Sequence, residues 1–201
     1  MQKTHMNVAK AVLLAIVLVA SFGLAHADEV TDSIKEALQQ YKNGEYSAAA
    51  GSLDYATQLI RQKKGRQLQS FLPKPLTGWT ARDSTSQAVG AAMFGGGVSA
   101  ERQYHKGSSS VTVTIVTDSP LMQSMMMMFT TPMFIVSEGG KLEKIGGQKA
   151  IVKYNPSDKE GEINIVVANR FFVTVNGEEV SKKDLTDYAM GINYKKLVAL
   201  P

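Results

Sequence analysis

Gly161-Glu-Ile-Asn-Ile-Val-Val-Ala-Asn-Arg-Phe-Phe-Val-Thr-Val175 is the stretch that decides the fold. Side chains of a strand alternate between two faces, so Ile163, Ile165 and Val167 share one face, and Phe171, Val173 and Val175 another. Only Asn169 and its immediate neighbours separate the two apolar triplets, which predicts a tight antiparallel hairpin.

The neighbouring sequence extends this pattern in both directions. Upstream, Lys141–Ile145 and Lys149–Tyr154 read as strands joined at Gly146-Gly147, and Asn155–Gly161 is a turn-rich connection to the hairpin. Further back, Val98–His105 and Val111–Thr117 form a second hairpin across Lys106–Ser110, with Val111, Val113 and Ile115 on one face and Thr112 and Thr114 on the other. Downstream, Ser181-Lys-Lys-Asp184 has the spacing of a capping box, and Leu185, Tyr188, Ala189 and Ile192 recur as the buried stripe of a closing helix. Asp118-Ser-Pro120 is a helix start signal ahead of a methionine-rich helix that ends before Pro132. Together these elements predict an α+β domain over 79–201, a mostly antiparallel sheet with the Met-rich helix and the C-terminal helix packed on it. Trp79, the single tryptophan, is expected as the first large residue of its core.

The segment before this domain is helical. Ile34, Ala37, Leu38 and Tyr41 recur at helical spacing between a cap at Thr31 or Asp32 and a stop at Asn43-Gly44. A second helix begins at Glu45, with Tyr46, Ala49, Leu53, Ala56 and Ile60 on one face, and Gln67–Leu72 extends it up to Pro73-Lys-Pro75. The short connection makes an antiparallel hairpin over 28–72, followed by a linker at 73–78.

Ala37, Tyr41, Gly44, Glu45, Tyr46, Ala49, Leu53 and Ala56 resemble the small and aromatic positions of a tetratricopeptide repeat over about 25 residues. Arg61 stands where that repeat carries its closing Pro, and the sequence holds one copy, so the resemblance implies a lone hairpin of a kind used for protein contact. The element order after residue 78 resembles, in outline, the PsbP-like fold of small exported and thylakoid-lumen proteins.

Residues 1–27 read as a signal peptide. Lys3 and Lys10 are their only charges, an apolar run spans Val12–Ala20, and Ala25-His26-Ala27 offers small residues for cleavage before Asp28. The expected destination is the periplasm, with no stable membrane anchor after cleavage. Removing the leader takes two of 22 basic residues and none of 18 acidic ones, which lowers the formal charge from +4 to +2. A near-neutral exported chain gives no electrostatic reason to bind nucleic acid. The chain has no cysteine, so its stability must come from packing.

Candidate chemistry is sparse. After cleavage His105 is the only histidine, which leaves no recognisable Ser-His-Asp set and no His/Cys zinc site. Met122, Met125, Met126, Met128 and Met133 are soft thioethers suited to Cu(I), although methionine at helical spacing also fills cores and adaptable grooves. The expected role is a non-enzymatic binding or protein-interaction module without a cofactor, its partner a protein of the cell envelope. The candidate contact residues are Tyr41, Tyr46, Tyr55, Phe129 and Phe134. A small-ligand or Cu(I)-binding protein is the alternative, and a hydrolase using carboxylate or serine chemistry stands third.

Overall fold

The computed structural model describes residues 28–87, 97–120, 124, 126–127 and 139–200. Residues 1–27 and most of the Met-rich stretch, including Met122, Met125, Met128, Met133, Phe129 and Phe134, lie outside the described residues. The architecture is α+β, an N-terminal helix pair followed by an antiparallel sheet and C-terminal helices. The chain forms two compact units that part after Ala56.

The first unit contains α1 (Glu29–Lys42) and the start of α2 (Tyr46–Gln69). Asp28 rather than Thr31 or Asp32 is the N-cap of α1, its carboxylate accepting from the Val30 amide at 3.4 Å. That choice places Glu29 and Asp32 in the first turn, where negative charge meets the positive end of the helix. Gly44, at φ +79°, makes the turn between the helices, a backbone conformation that costs glycine little.

The second unit begins inside α2, which runs unbroken to Gln69 and so includes the first three residues of the extension read over Gln67–Leu72. Leu68 and Leu72 are buried in one cluster with Trp79, Tyr104 and Tyr188, which places residues 57–72 with the sheet rather than with the hairpin. The expected linker at 73–78 is likewise part of this packing: Tyr104 Oη donates to the Pro73 carbonyl at 2.6 Å, and Arg102 Nη1 donates to the same oxygen at 3.3 Å.

The strands are β1 (Thr80–Ala81), β2 (Thr85–Gln87), β3 (Val98–Lys106), β4 (Ser109–Thr117), β5 (Lys141–Ile145), β6 (Gln148–Asn155), β7 (Glu160–Val167) and β8 (Phe171–Glu178). They form one antiparallel sheet in the order β1-β3-β4-β8-β7-β6-β5, with β2 also paired to β3. The two short strands β1 and β2 are absent from the sequence reading, because two or three residues carry no readable alternation. Gly107-Ser108 alone joins β3 to β4, so both strands are longer than expected, and Gly146-Gly147 joins β5 to β6 with both glycines at positive φ.

In the β7–β8 hairpin Ile163 lies opposite Val175, Ile165 opposite Val173 and Val167 opposite Phe171. Directly opposed residues project to the same side of a sheet, so the two triplets share a single face instead of occupying two. That face carries on through Val113 and Ile115 of β4 and Ala150 and Val152 of β6, all within 2% of complete burial. Helix α3 (Lys182–Met190), the short α4 (Tyr194–Val198) and the end of α2 supply the opposing layer through Leu185, Tyr188, Leu197 and Leu68. Ser181 caps α3 as the sequence predicts, its Oγ accepting from the Asp184 amide while Asp184 accepts from the Ser181 amide, each at 3.1 Å.

Candidate functional site: the exposed face of the helical hairpin

Within the first unit the two helices touch along a narrow line of small residues. Val30, Ser33 and Ala37 of α1 are buried, as are Ala49 and Ala56 of α2, and Ser33 Oγ donates to the Ser52 carbonyl at 2.7 Å. Small side chains let the backbones approach, but they leave the large apolar ones beside the contact line rather than in it. Ile34 is 46% exposed, Leu38 54%, Tyr41 63%, Tyr46 67% and Leu53 51%. The sequence reads these as the apolar face of an amphipathic pair, with Tyr41 and Tyr46 among the contact residues, and burial is confined to the small residues and Val30.

Helical geometry puts the five large residues together. At about 100° per residue, Ile34, Leu38 and Tyr41 lie to one side of the line through Val30 and Ala37, and Tyr46 and Leu53 lie to the same-handed side of the line through Ala49 and Ala56. Because the helices run antiparallel, equal rotations turn both groups to the same face of the hairpin. The Tyr41 and Tyr46 rings meet there with centroids 5.7 Å apart at 58°, joining the two stripes at the turn.

Of the expected contact residues, the structure brings Tyr41 and Tyr46 together and separates Tyr55 from them. Tyr55 projects half a turn away from Tyr46, and its hydroxyl donates to the Glu29 carboxylate at 2.5 Å. That hydrogen bond to a negative group raises the Tyr55 pKa above its ordinary value. The sequence reading missed Ile34, Leu38 and Leu53 as surface residues, since apolar periodicity marks a stripe without saying whether a partner covers it.

The second unit offers less. An open concavity of about 630 Å³ lies over the ends of β6, β7 and β8, lined by Lys153, Tyr154, Glu160, Glu162, Asn176 and Glu178 among others, a charged and solvent-facing surface rather than an apolar pocket. A small cleft of about 10 Å³ beside Leu68, Thr117 and Phe171 has room for at most one water. His105 Nε2 is buried without a hydrogen-bond partner, so no serine hydroxyl is bonded to it. Of the five candidate copper ligands only Met126 is described, half-buried, and its neighbour Met127 is 68% exposed. Among the described residues, no group of three His, Cys, Asp or Glu side chains is placed to hold a metal ion. No described helix is long and apolar enough to cross a membrane.

Three buried tyrosines hold the second unit's layers together. Tyr188 packs against Tyr104 at 4.3 Å and edge-on to Trp79 at 5.4 Å, and Tyr194 Oη donates to the Ala189 carbonyl at 2.7 Å. Burial pushes the Tyr104 and Tyr188 hydroxyls up to about 12. They are structural groups, each with its polar end engaged by main chain.

No protein-family model, curated protein or solved structure matches the chain.

Proposed function

We propose that this chain is a non-enzymatic, exported protein-interaction module, which holds a protein partner of the cell envelope against the apolar face of its helical hairpin. The observation that carries the reading is the group of five large apolar side chains, 46% to 67% exposed, on one side of α1 and α2. Taking roughly 150–250 Å² for each full side chain, the five expose on the order of 500 Å², at the upper end of what monomeric proteins show without an interaction role. The leader-like residues 1–27 support export. The tetratricopeptide-like spacing of Ala37, Gly44, Tyr46 and Ala49 supports a hairpin built for contact.

The experiment is site-specific photo-crosslinking in cells that express the full chain. A photoreactive residue in place of Tyr46 is expected to give discrete covalent adducts, and one in place of the exposed Glu36, on the polar side of α1, is expected to give none. Equal adduct patterns from the two positions, or none from Tyr46, would remove the hairpin face as an interaction surface.

A further inference from the structure

We infer that the occupant of the hairpin face is a second copy of this chain, two hairpins closing face to face into an antiparallel four-helix core. The inference rests on the reading of that face as an interaction surface and adds the identity of the partner. Each helix of the first unit bears two adjacent stripes. One is small and already buried inside the hairpin, Val30, Ser33 and Ala37 on α1 against Ala49 and Ala56 on α2. The other is large and exposed, Ile34, Leu38 and Tyr41 on α1 beside Tyr46 and Leu53 on α2.

A two-helix hairpin needs one apolar stripe per helix. A helix of a four-helix bundle needs two, one for its hairpin neighbour and one for the opposite pair, and the apolar positions of α1 and α2 fill both. The described hairpin is therefore half of such a core, and an identical hairpin supplies helices of matching length and stripes of matching width.

Area and charge favour self-pairing. Two faces of roughly 500 Å² each would remove on the order of 1,000 Å² of apolar surface, which with the surrounding polar rim reaches the roughly 1,200–2,000 Å² of a specific interface. None of the five face residues is charged, so two copies meet without like-charge repulsion at the centre. With the two-fold axis running along the helices, α1 of one copy lies over α2 of the other. Lys35 on the outer rim of α1 then lies within about one helical turn of Asp54 on the outer rim of the second copy's α2. Both are exposed, and in the single chain Lys35 pairs with Asp32 of its own helix at 3.7 Å.

The test is the mass of the purified full chain by sedimentation equilibrium from about 1 to 100 µM. The expected result is a dimer that Leu38→Glu with Leu53→Glu converts to monomer, weakening the dimer at least about a hundredfold, while the circular dichroism of the monomeric variant keeps its helix content because both positions are exposed. Lys35→Asp is expected to weaken the dimer several-fold, and Lys35→Asp combined with Asp54→Lys to restore it. A monomer throughout the range, or a dimer indifferent to the two glutamates, overturns self-pairing. In that event crosslinks from position 46 to other proteins still sustain the interaction surface, and their absence removes it as well.

Discussion

Gly177→Ala probes how α3 is seated on the sheet. A Cβ built at Gly177 falls 2.6 Å from Leu185 Cδ2 and 2.6 Å from Val180 Cγ2, and one at its cross-strand partner Gly161 falls 2.8 Å from Leu185 Cδ1. Non-bonded carbons settle at about 3.5–4.0 Å, so the extra methyl forces Leu185 outward by roughly 1 Å. Leu185 is fully buried, and its helix is fixed at one end by the Ser181 cap and along its length by Tyr188. It has no open space to enter. Overpacking of this kind costs about 1–3 kcal/mol, partly offset by the lower unfolded-state entropy of alanine, about 0.4–1 kcal/mol. The expected net loss is about 1–2 kcal/mol, a fall in Tm of about 2–8 °C for a unit of this size. The assay is urea and thermal unfolding of the wild type, Gly177→Ala, Leu185→Ala and the double variant. Leu185→Ala alone should cost about 2–5 kcal/mol. In its background the methyl at 177 no longer meets residue 185 and keeps only its contact with Val180, so the double variant should be more stable than the sum of the singles by about 1 kcal/mol. Additivity within about 0.5 kcal/mol, or a higher Tm for Gly177→Ala, would refute the seating argument.

Ala168 and Asn169 turn the β7–β8 hairpin at φ +50° and +53°, with the Arg170 amide donating to the Val167 carbonyl at 3.0 Å. Ala168→Gly relieves a left-handed alanine and should raise stability by about 0.5–1 kcal/mol in urea unfolding, whereas Ala168→Val should lower it. Ser181→Ala deletes the side-chain half of the α3 cap and should cost about 1 kcal/mol, read as a lower urea midpoint at unchanged slope. Tyr104 and Tyr188 have folded pKa values raised from 10 to about 12. Between those limits the folded state holds protons that the unfolded state has lost, so their contribution is complete below pH 10 and disappears as pH rises through about 12. Urea midpoints measured from pH 9 upward should fall over that window, and Tyr104→Phe should make the fall shallower.

Much of the sheet was legible because its signals are local. Gly146-Gly147 sits where both residues need positive φ, and Val111, Val113 and Ile115 alternate with threonines that stay on the other face. The Ser181–Asp184 cap was legible for the same reason, since its two hydrogen bonds close over four residues. What was not legible depends on distant partners. The β4–β8 pairing, which fixes strand order, joins Thr117 to Phe171, and nothing in either strand's alternation names the other. The division after Ala56 falls inside a continuous helix whose local propensity does not change there. At the hairpin, the stripe through Ile34, Leu38 and Tyr41 is legible as apolar, but the extent of its exposure is not. Period reports chemistry along a helix, and exposure is set by how close the small residues bring its neighbour.

The strand order also dictates how the chain can reach its folded state. The β3–β4 hairpin and the β5-β6-β7-β8 meander each join strands adjacent in sequence, so each closes small loops, and hairpins of this type form in roughly 1–10 µs. Joining the two blocks requires β4 to find β8 across everything between Thr117 and Phe171, a loop whose closure entropy must be met before Val113, Ile115, Val173 and Val175 bury one another. The seam between β4 and β8 is therefore the late step of folding, and until it closes both strands present an open apolar edge to whatever else is in solution.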